Sequence, residues 1–165
     1  WTIAGLVQQN LDSGQNERFN VAARYTPSPG RALFASYRYT RQLVNPTGEG
    51  SEIQQIDLAA QWPVNAQWTL LGRYNYSIVD RKVLEAVAGV EYNGDCWILR
   101  AVLHRLATTV DQTNTSFFIQ LELNGLARVG TSPLDLLRRS VPGYVSANDP
   151  SLRQRDRSGD PLPEF

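Results

Sequence analysis

The chain is nearly empty of several residue types. It has no methionine, one cysteine (Cys96), one histidine (His104) and, among 16 basic residues, one lysine (Lys82). A single cysteine cannot form a disulfide within the chain, so its partner, if it has one, lies elsewhere. The 16 basic and 16 acidic residues cancel, which gives no general attraction to nucleic acid or to anionic membranes. No run approaches the ~20 apolar residues of a membrane-spanning helix. That excludes a helical span but not a membrane, because transmembrane β-strands alternate and score weakly on hydropathy. There is no signal peptide, and the chain opens on an apolar-rich segment at Trp1. The expectation is a processed start or a piece of a longer protein.

What is present is alternation with period two. In 67–79, Trp68, Leu70, Gly72, Tyr74, Tyr76 and Ile78 alternate with a mostly polar set that includes Arg73, Asn75 and Ser77. In 54–62, Ile56, Leu58, Ala60 and Trp62 oppose Gln55, Asp57, Ala59 and Gln61. The segments 19–27 and 116–124 behave alike, as half-buried strands do. The pattern predicts about eight antiparallel strands, near 2–11, 18–27, 31–43, 52–62, 67–79, 82–92, 96–107 and 114–128. Most reach ten residues, whereas globular strands run to ~5–6 and a tilted transmembrane strand needs ~9–11. The fold class is therefore all-β, a portion of an antiparallel transmembrane β-barrel over 1–130.

The connections near 12–17, 44–51 and 108–113 are long and polar, and those near 28–30, 63–66 and 93–95 are short; the turn at 80–81 is short as well and interrupts an otherwise alternating pattern. In outer-membrane barrels the short turns are periplasmic and the long loops extracellular. Tyr25, Trp62, Trp68, Tyr92 and Trp97 flank the short turns, where a periplasmic aromatic girdle would sit. Residues 131–145 read as a short helical extension, with Ser132 as N-cap, Pro133 at the first helical position, Arg138 and Arg139 in the last turn and Pro142-Gly143 as the stop. Residues 146–165 are polar, charged and Pro-containing, and read as a flexible tail.

Cys96 would sit at the foot of the seventh strand. Trp97, Leu99, Ala101 and Leu103 form one face; Cys96, Arg100 and His104 form the other. Arg100 sets the phase, since an arginine facing lipid costs ~2–4 kcal/mol at mid-bilayer. The thiol then faces the lumen or its periplasmic mouth. There it either bonds a cysteine of another segment in an oxidising compartment or packs as a small hydrophobe. The same phase makes Arg24, Arg38, Asp57, Arg73, Glu85, Glu91, Arg100 and His104 lumen-facing candidates, with Gln120 and Glu122 on the last strand.

Three motifs carry a family resemblance. "GVEYNGDCWILRAVLHR" at 89–105, "NTSFFIQLELNGLARVG" at 114–130 and "LLRRSVPGY" at 136–144 resemble the C-terminal end of the LPS-assembly outer-membrane protein (LptD) family. The stretch 59–92 resembles the strands before it. The resemblance implies a barrel of about two dozen strands, a periplasmic jellyroll domain ahead of it and an LptE-like lipoprotein plug inside. It implies that a periplasmic bridge protein hands over lipopolysaccharide (LPS), which the barrel inserts into the outer leaflet among outer-membrane lipid, with no cofactor and no catalysis. In the family the first and last barrel strands part as a lateral gate. The last strand maps onto 114–128, which nominates Asn114, Phe117, Ile119, Gln120, Leu121, Glu122 and Leu123. The resemblance also implies a disulfide from Cys96 to another segment. Many members carry two adjacent cysteines here; this chain has Asp95-Cys96 and can supply one bridge.

Two rival readings follow from the residues. A standalone eight-stranded barrel could gather His104, Asp80, Asp111, Ser77 and Ser116 near one rim as a hydrolytic set; its first strand must then pair with its eighth. A soluble β-barrel or sandwich binding an apolar ligand is the other. The terminal Phe165 follows a Pro-rich, non-alternating stretch and does not close a strand.

Overall fold

The computed structural model describes residues 1–9, 16–41, 52–94, 96–107, 112–123 and 127–146. The expected tail beyond 146 and Asp111 lie outside these residues. The strands are β1 (Thr2–Gln9), β2 (Asn16–Ser28), β3 (Arg31–Arg41), β4 (Glu52–Pro63), β5 (Trp68–Ser77), β6 (Lys82–Asn93), β7 (Trp97–Ala107), β8 (Thr113–Leu123) and β9 (Ala127–Gly130). A single helix, α1 (Leu134–Ser140), follows. The strands form one antiparallel meander in chain order. Among the described residues β1 pairs with β2 alone, so the sheet is open, as a portion of a larger barrel is.

The eight long strands are those the alternation predicts. The turns obey local chemistry. Between β2 and β3, Pro29 sets φ and Gly30 takes a positive φ of 80°, the division of labour of a tight turn. Between β4 and β5, Asn65 Oδ1 accepts hydrogen bonds from the backbone N–H groups of Gln67 (2.9 Å) and Trp68 (2.7 Å), an Asx turn.

Two expectations are corrected. Residues 114–128 are not one strand: β8 ends at Leu123, and β9 folds back on it, with Gln120 opposite Gly130 and Leu123 opposite Ala127. The Asn124-Gly125 pair between them is a hairpin signal that uninterrupted alternation hides. The helix starts one residue later than expected. Pro133, not Ser132, is the N-cap, because the first helical bond closes from Leu137 N–H onto the Pro133 carbonyl at 2.9 Å; its ring offers no polar atom for a side-chain cap.

The register sorts the side chains onto two faces. One carries Ile3, Leu33, Leu58, Leu70, Leu103, Phe117 and Ile119, all exposed apolar groups. On the same face, at the short-turn end, the aromatics gather: Trp68 and Tyr92 have ring centroids 4.7 Å apart, and Tyr92 and Trp97 5.0 Å. We refer to this as the outer face. The inner face holds the polar set, and α1 packs on it. Leu137 is buried against Leu71, Val87 and Val102, with Phe118 and Tyr144 alongside. A helix of seven residues is too short to hold alone in water; docking of its apolar side, ~1.5–3 kcal/mol per fully buried leucine, secures it.

Candidate functional site

The inner face carries two ion networks at different heights. The lower one lies at the short-turn end. Arg100 on β7 is completely buried, with Glu91 on β6 and Glu122 on β8 at 2% and 5% exposure. Its guanidinium donates to Glu91 Oε2, to Glu122 Oε2 at 2.6 Å and to Ser146 Oγ at 2.9 Å. Register explains the meeting: Arg100 is the cross-strand partner of both Glu91 and Gln120, and Glu122 is the diagonal neighbour. Tyr144 donates its hydroxyl to Glu91 Oε2 at 3.1 Å. Burial, reinforced by the Glu91 carboxylate, pushes the Tyr144 hydroxyl upward from its ordinary pKa, so it remains a donor.

The segment 141–146 is strapped down at a second point. Gln61 Nε2 donates to the Val145 carbonyl at 2.7 Å, and the Val145 N–H donates back to Gln61 Oε1 at 2.9 Å. An amide matched in this way leaves neither of its polar atoms unsatisfied under the strap. The expected boundary between extension and tail thus falls inside an ordered contact, because Ser146 is a partner of Arg100. Tyr144, Val145, Ser146 and Gln61 are site residues that strand alternation could not nominate. The one available signal was three ionised groups on the packed face of neighbouring strands, which cannot be buried without further partners.

The upper network is half-buried. Arg73 on β5 grips Asp57 on β4 with two donors, at 2.9 and 2.8 Å, and reaches Glu85 on β6 at 3.0 Å. His104 Nε2 lies 3.0 Å from the same Glu85 carboxylate. Arg24 and Arg38 share this face by register and are exposed. Of the lumen-facing candidates, the structure therefore joins Asp57, Arg73, Glu85 and His104 in one network and Glu91 and Arg100 in another, under the strap.

Among the described residues the hydrolytic set does not assemble. Ser77 Oγ donates to Asp80 at 2.8 Å and accepts from the Asp80 N–H at 3.2 Å, a local turn contact. Ser116 lies opposite His104 in the β7–β8 register, but the partner of His104 among the described residues is Glu85.

The nominated strand residues divide between the faces. Phe117, Ile119, Leu121 and Leu123 point outward, whereas Asn114, Gln120 and Glu122 point inward. Their edge divides too. Gln120–Leu123 are paired on both sides, by β7 and by β9; from Asn114 to Ile119 only β7 is paired, among the described residues. Cys96 is exposed, one residue before β7, and its N–H donates to the Gly94 carbonyl at 2.6 Å. It sits in the turn, where the strand pleat no longer dictates its direction.

Comparison with known proteins adds a further finding. The family model described as "LptD: LPS transport system D" matches residues 1–68. The LPS-assembly protein LptD of Azoarcus sp. (strain BH72) is 43% identical over 153 residues, 93% of this chain. That of Thiobacillus denitrificans is 45% identical over 149 residues, 90% of this chain, and that of Chromobacterium violaceum 41% over 152 residues, also 90%. The chain spans 19% of each of these three relatives.

Proposed function

The chain belongs to the LPS-assembly protein LptD family, and from that premise we propose that it supplies the closing strands of an outer-membrane barrel that inserts lipopolysaccharide into the outer leaflet. The observation that carries this reading is the two-faced open sheet. An exposed apolar face meets outer-membrane lipid, a polar inner face lines the lumen, and among the described residues β8 has an uncovered edge from Asn114 to Ile119. The turns near 28–30, 63–66 and 93–95 and the α1 strap sit on the periplasmic side. The sugar and phosphate part of LPS passes along the polar lumen, while its acyl chains leave through the seam between β8 and the first strand of the complete barrel. Parting that seam costs only a few ladder bonds, each ~0.5–1.5 kcal/mol net. The LptE-like lipoprotein occupies the lumen, and the periplasmic bridge protein docks on a domain outside this chain. Cys96, exposed at the periplasmic turn, bonds a cysteine of that domain.

The test is a cysteine pair at Phe117 and at the facing position of the first barrel strand of the full-length protein. Crosslinking is expected to stop LPS export while the barrel still assembles. Normal export through a fully crosslinked seam would refute the role. The pair belongs at Phe117 rather than Gln120, because β9 already occupies the edge beside Gln120.

A further inference from the structure

The outer face carries a recess. A groove of about 750 Å³ crosses the face from β2 to β7, within the ~300–1,000 Å³ range of small-molecule sites. Its lining follows two adjacent rows of register partners. In one row Ala60, Gly72 and Ala88 are successive neighbours; in the other the partners run through Ala86 to Arg105. The small side chains lower the floor, and apart from Arg105 and Arg73, whose guanidinium is held by Asp57 and Glu85, the lining is apolar or aromatic.

Arg105 is the anomaly. It stands on the lipid phase of β7, third from the long-loop end, and is exposed. No carboxylate pairs with it among the described residues. Arg31 on the same face at least lies over the Trp62 ring, 5.4 Å from its centroid. An arginine on the lipid side of a barrel is costly at mid-bilayer and tolerable near an interface, and an ionised group at such a position calls for a named partner. The membrane can supply one: a lipid phosphate.

The geometry points to a lipid site on this outer wall. An acyl chain lies in the groove over Gly72, and a phosphate of the same molecule is held by Arg105. Because Arg105 lies toward the long loops, the leaflet is the outer one, and the occupant is the phosphorylated, acylated anchor of LPS. The assignment of leaflet and lipid rests on the function proposed above; the groove and an arginine with no carboxylate partner among the described residues do not. The groove's lining ends at β7, one strand short of the seam at β8, and the site would retain a delivered LPS molecule against the barrel wall.

The experiment uses the full-length protein with its seam locked by the disulfide described above, so that lateral passage is closed. Lipid retained after detergent washing is counted by native mass spectrometry, with three probes: bisphosphorylated lipid A, the same lipid dephosphorylated, and phosphatidylglycerol. The protein is expected to keep bisphosphorylated lipid A in preference to the other two. Arg105→Gln is expected to lower that retention about 10-fold, the scale of one charge-assisted hydrogen bond, and Arg105→Lys to restore part of it. Gly72→Leu fills the groove without straining the backbone, since an added Cβ meets only the Val87 carbonyl oxygen, at 3.8 Å; it is expected to abolish retention of the additional lipid. Equal retention by the Arg105→Gln protein, indifference to the phosphates, or a preference for phosphatidylglycerol would overturn the inference. Export through the locked seam would instead sink the gate reading and leave lipid retention unaffected.

Discussion

The two ion networks on the inner face have similar chemistry and different surroundings. Each centres on an arginine that faces two carboxylates of neighbouring strands. Around Arg73 both carboxylates retain access to solvent, with side chains about a fifth exposed. Around Arg100 the strap 141–146 closes over the group, and nothing is exposed on the arginine. Burial therefore decides what each network is for. A solvated pair contributes ~0–1 kcal/mol and is free to rearrange around a polar ligand. A buried triad stabilises little by its own formation, yet is severe to break, because whatever remains is an uncompensated charge. We read the lower network as a latch that fixes strap to sheet, and the upper one as lumen wall.

The sharpest way to break this comparison is at Arg100. Arg100→Leu removes the buried cation between Glu91 and Glu122, and is expected to cost ~3–5 kcal/mol. The loss would be read as a lowered urea midpoint for heat-modifiable gel mobility of the full-length barrel. Replacing all three ionised residues by leucine should recover much of it; a triple variant as weak as the single one would contradict the desolvation argument.

A smaller effect is expected where the strap leaves the sheet. Gly130 has φ +102°, and an added Cβ would come within 2.4 Å of the Ile119 carbonyl oxygen. Gly130→Ala should cost ~1–3 kcal/mol of local strain and detach β9. The edge at Gln120 would then become as reactive to crosslinking as that at Phe117. An unchanged contrast between the two positions would mean that β9 does not guard that half of the edge.

The mildest change is expected at the upper network. Arg73→Gln leaves Asp57 and Glu85 reachable by water, and should lower stability by ~0–1 kcal/mol for each pair lost, well short of the Arg100 variant. Similar losses at both positions would erase the distinction drawn here.

Much of this was legible beforehand, for a physical reason. A strand has a side-chain period of two, so a half-buried sheet writes its faces directly into the order of residues. That is why all eight long strands, the short turns at Pro29-Gly30 and Asn93-Gly94, and the inward phase of Arg73 and Arg100 follow from reading the chain. The same rule misled at 114–128, where alternation continues on both sides of Asn124-Gly125 and conceals a return. It placed Cys96 on the inner phase, but that residue lies in the turn before β7, where the pleat does not set its direction.

The sequence by itself determined which side chains share a face, because neighbours along a strand suffice for that. It did not determine which inner-face charges would be dry. That depended on Val145 and Ser146 meeting Gln61 and Arg100, contacts that join residues 84 and 46 positions apart. Local periodicity carries no information about such pairs. Only the docking of α1 and its strap separated a latch from a lumen wall, since water was removed from one arginine and left beside the other.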